Sequence, residues 1–122
     1  MNQHEKINYL EFPAKEMAAT KTFFNGVFGW EFVDYGPAYT AFSHAGINGG
    51  FFVSKLNVST DNGSALVVFY SKDIKQTQQK ITDAGGRILK EIYSFPGGCR
   101  FHFSDPNGNE FAVWSDVSNP DE

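Results

Sequence analysis

The strongest constraint on the fold is a pattern that the chain repeats at a fixed offset. Sliding the sequence over itself by 73 − 16 = 57 residues sets Glu16 against Asp73, Met17 against Ile74, Thr20 against Thr77 and Phe24 against Ile81. The same offset pairs Leu10 with Val67 and Phe12 with Phe69. Few identities are kept, but apolar positions and chain breakers stay in register, which marks a duplicated structural unit. A chain of 122 residues has room for both copies inside one domain.

Each copy reads as a strand, a helix and three further strands. Residues 7–12 (INYLEF) alternate in the strand period, and Pro13 is expected to end that strand. Residues 16–28 place Met17, Thr20, Phe24, Val27 and Phe28 on one helical face, with Gly29 at the C-cap. Residues 30–35, 38–44 and 48–54 then read as strands, broken at Gly36-Pro37 and Ala45-Gly46. Residues 55–63 (KLNVSTDNG) are polar and turn-rich, and form the expected linker. The order then recurs with a strand at 64–70 and a helix at 73–84. Asp73 is its expected N-cap, and Gln76 completes a capping box. Strands at 87–95, 98–104 and 109–115 follow. The expected fold is α+β, one domain over residues 1–122, with two βαβββ modules in tandem (about 7–54 and 64–115). Their mixed sheets are expected to cup around a central cavity, the natural binding site.

Alternation assigns faces. Leu10, Phe12, Val67 and Phe69 suit the helix side, which leaves Tyr9, Glu11, Leu66, Val68 and Tyr70 on the other. In the last strand Phe111 and Val113 suit the helix side, leaving Glu110, Ala112 and Trp114 opposite. With 13 Phe, 5 Tyr and 2 Trp there are rings enough for both a core and a cavity wall. Tyr9, Phe51, Tyr70 and Trp114 are the rings expected to line the cavity, with plain packing as the other reading of each. If Phe101 and Phe103 face the helix, Arg100 and His102 face the cavity. His102 is then an acid–base candidate and Arg100 an anchor for an anionic ligand; the other reading leaves them wet at the sheet rim. Glu11 reads either as a general base or as a structural acid paired with a cation such as Arg100. Asp105-Pro106-Asn107-Gly108 has the chemistry of a hairpin turn.

Several classes are disfavoured. Net charge is −4 and the ten Lys and Arg are scattered, so nucleic acid and anionic membrane are not expected partners. No apolar stretch reaches the roughly 18 residues of a membrane span, and no secretory leader is read at the start. Cys99 is the only cysteine, which excludes an internal disulfide and is read as a small buried hydrophobe. A soluble, cytoplasmic protein is the expectation.

The tandem modules, the stretch AKEMAATKTFFNGVFGW, the helix DIKQTQQKITDAGG and the closing DPNGNEFAVW together resemble the vicinal oxygen chelate superfamily. Glyoxalase I, extradiol dioxygenases and the fosfomycin- and bleomycin-resistance proteins are among its members. The resemblance runs from about residue 7 to residue 115. It implies a cavity holding one divalent metal, with ligands from each first strand and a carboxylate after DPxGN. By position those ligands fall at Tyr9, Leu66 and Ala112, and neither Leu nor Ala can coordinate. No metal and no other cofactor are therefore expected. The resemblance also implies a homodimer, in some members with the cavity built across the interface. Three functions remain open: metal-independent binding of a small apolar or aromatic molecule; a lyase- or dioxygenase-related enzyme using a displaced metal or Glu11 and His102 as acid and base; and an interaction or stress module with a vestigial cavity.

Overall fold

A computed structural model describes residues 2–121 and carries the duplication through in full. The first module comprises β1 (Tyr9–Ala14), α1 (Met17–Phe28), β2 (Glu31–Asp34), β3 (Tyr39–Ser43) and β4 (Asn48–Val53). The second comprises β5 (Val67–Tyr70), α2 (Ile74–Asp83), β6 (Arg87–Phe95), β7 (Gly98–Ser104) and β8 (Glu110–Ser115). Two four-stranded sheets result, ordered β1-β4-β3-β2 and β5-β8-β7-β6, and no strand pairing joins them. In each, the first strand lies parallel to the last, and the other neighbours are antiparallel.

What joins the modules is the helix side of both sheets. Phe24 of α1 lies 5.4 Å from Phe51 of β4 and 5.6 Å from Phe111 of β8, ring centre to ring centre. Phe28 stacks on Phe69 at 4.2 Å, and Phe12 meets Phe111 at 5.2 Å. Phe12, Phe24, Phe51 and Phe111, with Trp30, Phe42 and Phe103, form one buried cluster, against which the half-buried Phe28 and Phe69 pack. Burial of that much aromatic surface is the main driving force of the fold. Each sheet then presents its other face outward, away from the shared core.

The DPNGN turn does more than reverse the chain. Asp105 is buried and accepts hydrogen bonds from the backbone N–H groups of Asn107 and Asn109, both at 2.9 Å. That fixes Asn107, whose Oδ1 accepts from the backbone N–H of Lys15 (2.8 Å) and of Glu16 (3.0 Å) in the first module. Asn109 donates to the Pro13 carbonyl at 2.8 Å. Glu16 makes no side-chain cap bond of its own, so the second module helps to satisfy donors at the start of α1. Burial pushes the Asp105 carboxyl above its usual range, against the pull of the four Asn donors.

Two local expectations are corrected. β1 does not stop at Pro13 but runs through it to Ala14. It is an edge strand, where a missing N–H is tolerated. The capping box at α2 is half made: Asp73 accepts from the Gln76 N–H at 3.2 Å, but its own N–H donates to Ser71 Oγ. The linker at residues 55–63 is ordered. It forms a 3-10 turn at Thr60–Asn62 and bonds along the start of β8 through Asn57, Val58 and Thr60.

Candidate functional site

On the first sheet, β1 and β3 bring Tyr9, Glu11 and Tyr39 together. The Tyr39 hydroxyl donates to Glu11 Oε2 at 2.8 Å, and its oxygen lies 2.6 Å from the Tyr9 hydroxyl. Since Tyr39 has spent its one proton on Glu11, Tyr9 is the donor in that second bond. Burial pushes the Tyr39 phenol far above its usual range, and the bonds to Tyr9 and Glu11 push the same way. Gly50 makes the arrangement possible, because a Cβ there would overlap the Tyr39 hydroxyl.

On the second sheet the polar groups form a directional chain. Arg100 Nε donates to the Tyr93 hydroxyl oxygen. Tyr93 lies 3.1 Å from His102 Nε2, and His102 Nδ1 lies 2.7 Å from Glu110 Oε2. Glu110 Oε1 accepts from the Thr60 backbone N–H at 2.8 Å and from its hydroxyl at 2.9 Å. With Tyr93 donating to Nε2 and Nδ1–H donating to the carboxylate, one neutral tautomer of His102 satisfies every link. Side-chain exposures of 9% for His102 and 11% for Glu110 make this a largely desolvated pair. Burial raises the Glu110 carboxyl, but the bonds from His102 and Thr60 outweigh it and leave Glu110 below its usual range. A cavity of about 510 Å³ opens beside the pair, lined also by Leu89, Lys90 and the linker.

The expected site residues separate into these two faces. Tyr9 (43% exposed) and Glu11 lie on the first, while Tyr70 (54% exposed), Arg100, His102, Ala112 and Trp114 lie on the second. Leu66 is half-buried just before β5. Phe51 is a correction: it is fully buried against Phe12, Phe24 and Phe42, and Phe52 takes the outward position. Glu11 is not paired with Arg100; each has a tyrosine partner in its own sheet. Nor do Glu11 and His102 share a network. Alternation does not single out Tyr93 or Tyr39, and it places Glu110 on that face without giving its partners.

Ala112 sits between Val68 and His102 in the strand register, and its methyl is fully buried beneath them. The donor set implied for a divalent metal does not fit these positions, since Leu66 and Ala112 offer no donor atom. Among the described residues no group of three or more His, Cys, Asp or Glu is placed to hold an ion. No helix among the described residues is long and apolar enough to cross a membrane.

Tandem βαβββ modules with outward sheet faces define the vicinal oxygen chelate architecture. Residues 6–113 match the sequence model of the Glyoxalase/Bleomycin resistance protein/Dioxygenase superfamily, and the chain belongs to that superfamily. The fosfomycin resistance protein FosX from Listeria monocytogenes is similar in fold, with a TM-score of 0.75 at 15% identity over 93% of this chain and 94% of that one. A glyoxalase-related enzyme from Fulvimarina pelagi gives 0.70 at 19% identity, over 95% and 89%. A glyoxalase/bleomycin resistance protein/dioxygenase family enzyme from Burkholderia phytofirmans PsJN gives 0.74 at 15%, over 90% and 98%. At these identities the likeness is one of fold. No curated protein matches the sequence.

Proposed function

We propose that this protein is a metal-independent member of the superfamily that binds a small apolar or aromatic molecule against its open sheet faces. A second copy of the chain completes the cavity, and the cytoplasm is its compartment. The observation that carries this reading is the make-up of the second sheet face. Where the family resemblance implies metal donors it has Leu66 and Ala112, flanked by Val68, Tyr70 and Trp114. Exposed apolar side chains at Tyr9, Val68 and Tyr70 favour a partner surface over open water. The fosfomycin resistance and glyoxalase-related neighbours are consistent with small-molecule work on this scaffold, and fold alone assigns no substrate.

Metal analysis and thermal shift on the purified full chain, beside its mass in solution, test the reading. The expected results are a dimer, sub-stoichiometric metal and no stabilisation by Mn, Fe, Ni, Zn or Mg. A small aromatic ligand at a hundred times its Kd should stabilise by about 2.7 kcal/mol, a rise of several degrees in Tm. Stoichiometric metal, or stabilisation by one ion, overturns the metal-independent part.

One observation favours acid–base chemistry as a second reading. Glu110 holds His102 with Nε2 toward the Tyr93 phenol, the orientation a general base needs. In that case the acid–base pair is Tyr93 and His102, both on the second sheet. Turnover that falls in Tyr93→Phe and keeps a bell-shaped pH profile in Glu11→Gln would favour it over simple binding.

A further inference from the structure

Register across the second sheet lines up four side chains in one row. Tyr70 of β5 is opposite Trp114 of β8, Trp114 is opposite Arg100 of β7, and Arg100 is opposite Tyr93 of β6. Cross-strand neighbours in one row share a face, so the row reads Tyr–Trp–Arg–Tyr on the open side. Tyr70 and Trp114 meet at 5.3 Å, and Phe95 closes on Trp114 at 6.4 Å. The guanidinium carbon of Arg100 stands 5.6 Å from the Tyr93 ring centre and 5.9 Å from that of Phe95.

Arg100 is held but not neutralised. Among the described residues only its Nε makes a hydrogen bond, to the Tyr93 hydroxyl, and that hydroxyl is itself held through His102 to Glu110. Among the described residues no carboxylate comes within ion-pair distance of Arg100, nor of Lys90, whose ammonium lies 4.3 Å from the Tyr93 ring centre. The nearby Asp116 instead accepts the Tyr70 hydroxyl proton at 2.6 Å. In a chain of net charge −4, two cations without carboxylates are set among rings. A guanidinium fixed at Nε keeps its two terminal nitrogens as a planar fork, which matches a carboxylate in shape and charge.

We propose that the row is a subsite for a planar aromatic carboxylate. The carboxylate takes the Arg100 fork and the ring lies on Trp114. Tyr93, His102 and Glu110 are positioning residues that hold the guanidinium. This rests on the binding reading above and names its ligand class.

Titration calorimetry of the full chain with 2-naphthoate, its neutral carboxamide and inorganic phosphate tests it. Fluorescence gives a second readout, because Trp30 is buried in the core and Trp114 is the only other tryptophan. The expected result is that wild type binds the acid at least tenfold more tightly than the amide, binds phosphate more weakly than the acid, and shows Trp quenching. Arg100→Met keeps a side chain over Tyr93 and should bind acid and amide alike. Tyr93→Phe should weaken the acid severalfold and leave the amide unchanged. If wild type binds acid and amide equally, or Arg100→Met keeps the preference, the Arg100 subsite is wrong while the binding reading stands. If phosphate binds as tightly as the acid, the site is a general anion site and the aromatic carboxylate assignment is wrong. If neither aromatic binds, both readings fail.

Discussion

At the centre of the first open face stands Gly50, opposite Glu11, and Tyr39 lies across it; the matching centre of the second is Ala112, opposite Val68 and beside His102. Glu11 and Val68 are mates under the 57-residue offset, whereas Gly50 and Ala112 are 112 − 50 = 62 apart. The excess of 62 − 57 = 5 arises in the strands and turns between the helix and the last strand. There β6 and β7 have 9 and 7 residues against 4 and 5 in β2 and β3, and a shorter turn offsets part of the gain. One face therefore gathers two phenols and an acid, the other two cations, a histidine paired with an acid, and an aromatic row. Duplication has kept the open face in each module, and the lengthened hairpin has changed the side chains it carries.

That contrast can be broken at what the two modules share, then at each face. Phe24→Ala removes the ring that touches both sheets and should cost about 3–5 kcal/mol in urea denaturation. Asn107→Ala strands the Lys15 and Glu16 N–H groups and should cost about 2–3 kcal/mol, with the first module loosening before the second in hydrogen exchange. At the matched face centres the same methyl has opposite signs. Adding it in Gly50→Ala displaces Tyr39 from Glu11 and meets the Thr40 carbonyl at 2.9 Å, for about 1–3 kcal/mol. Removing it in Ala112→Gly should cost only about 0.5–1 kcal/mol.

One group on each face, Glu110 and Tyr39, should lose its contribution at opposite ends of the pH scale. Glu110 is held below its usual range, so the unfolded state binds its proton first. Its contribution is full above about pH 4.3 and is lost as pH falls through the lowered folded value. Tyr39 is raised, so the folded state keeps its proton longer, and stability falls as pH climbs past about 10. Stability measured against pH should lose acid sensitivity in Glu110→Gln and alkaline sensitivity in Tyr39→Phe, each variant flattening one limb only.

Much of the fold was legible because periodicity and breakers recur. What escaped depends on register. Residues 48–53 (NGGFFV) offer two glycines and two adjacent phenylalanines, so alternation has no phase there and Phe51 was given the wrong face. Lys90 and Tyr93 are three apart and would alternate to opposite faces in a regular strand. A register irregularity between Lys90 and Tyr93 brings them to the same face, opposite His102 and Arg100. The turn chemistry of Asp105 to Gly108 was readable, but the bond from Asn107 to Lys15 spans 92 residues and nothing local announces it. The exchange of metal donors for Leu66 and Ala112, by contrast, is visible in sequence as soon as the family pattern is laid on the chain.

The most direct test of the account is thermal shift with 2-naphthoate on protein stripped by chelator, repeated after adding back Mn, Fe, Ni, Zn and Mg in turn. The account predicts the same rise in Tm before stripping, after it and with every ion. A rise that vanishes on stripping and returns with one ion would contradict it.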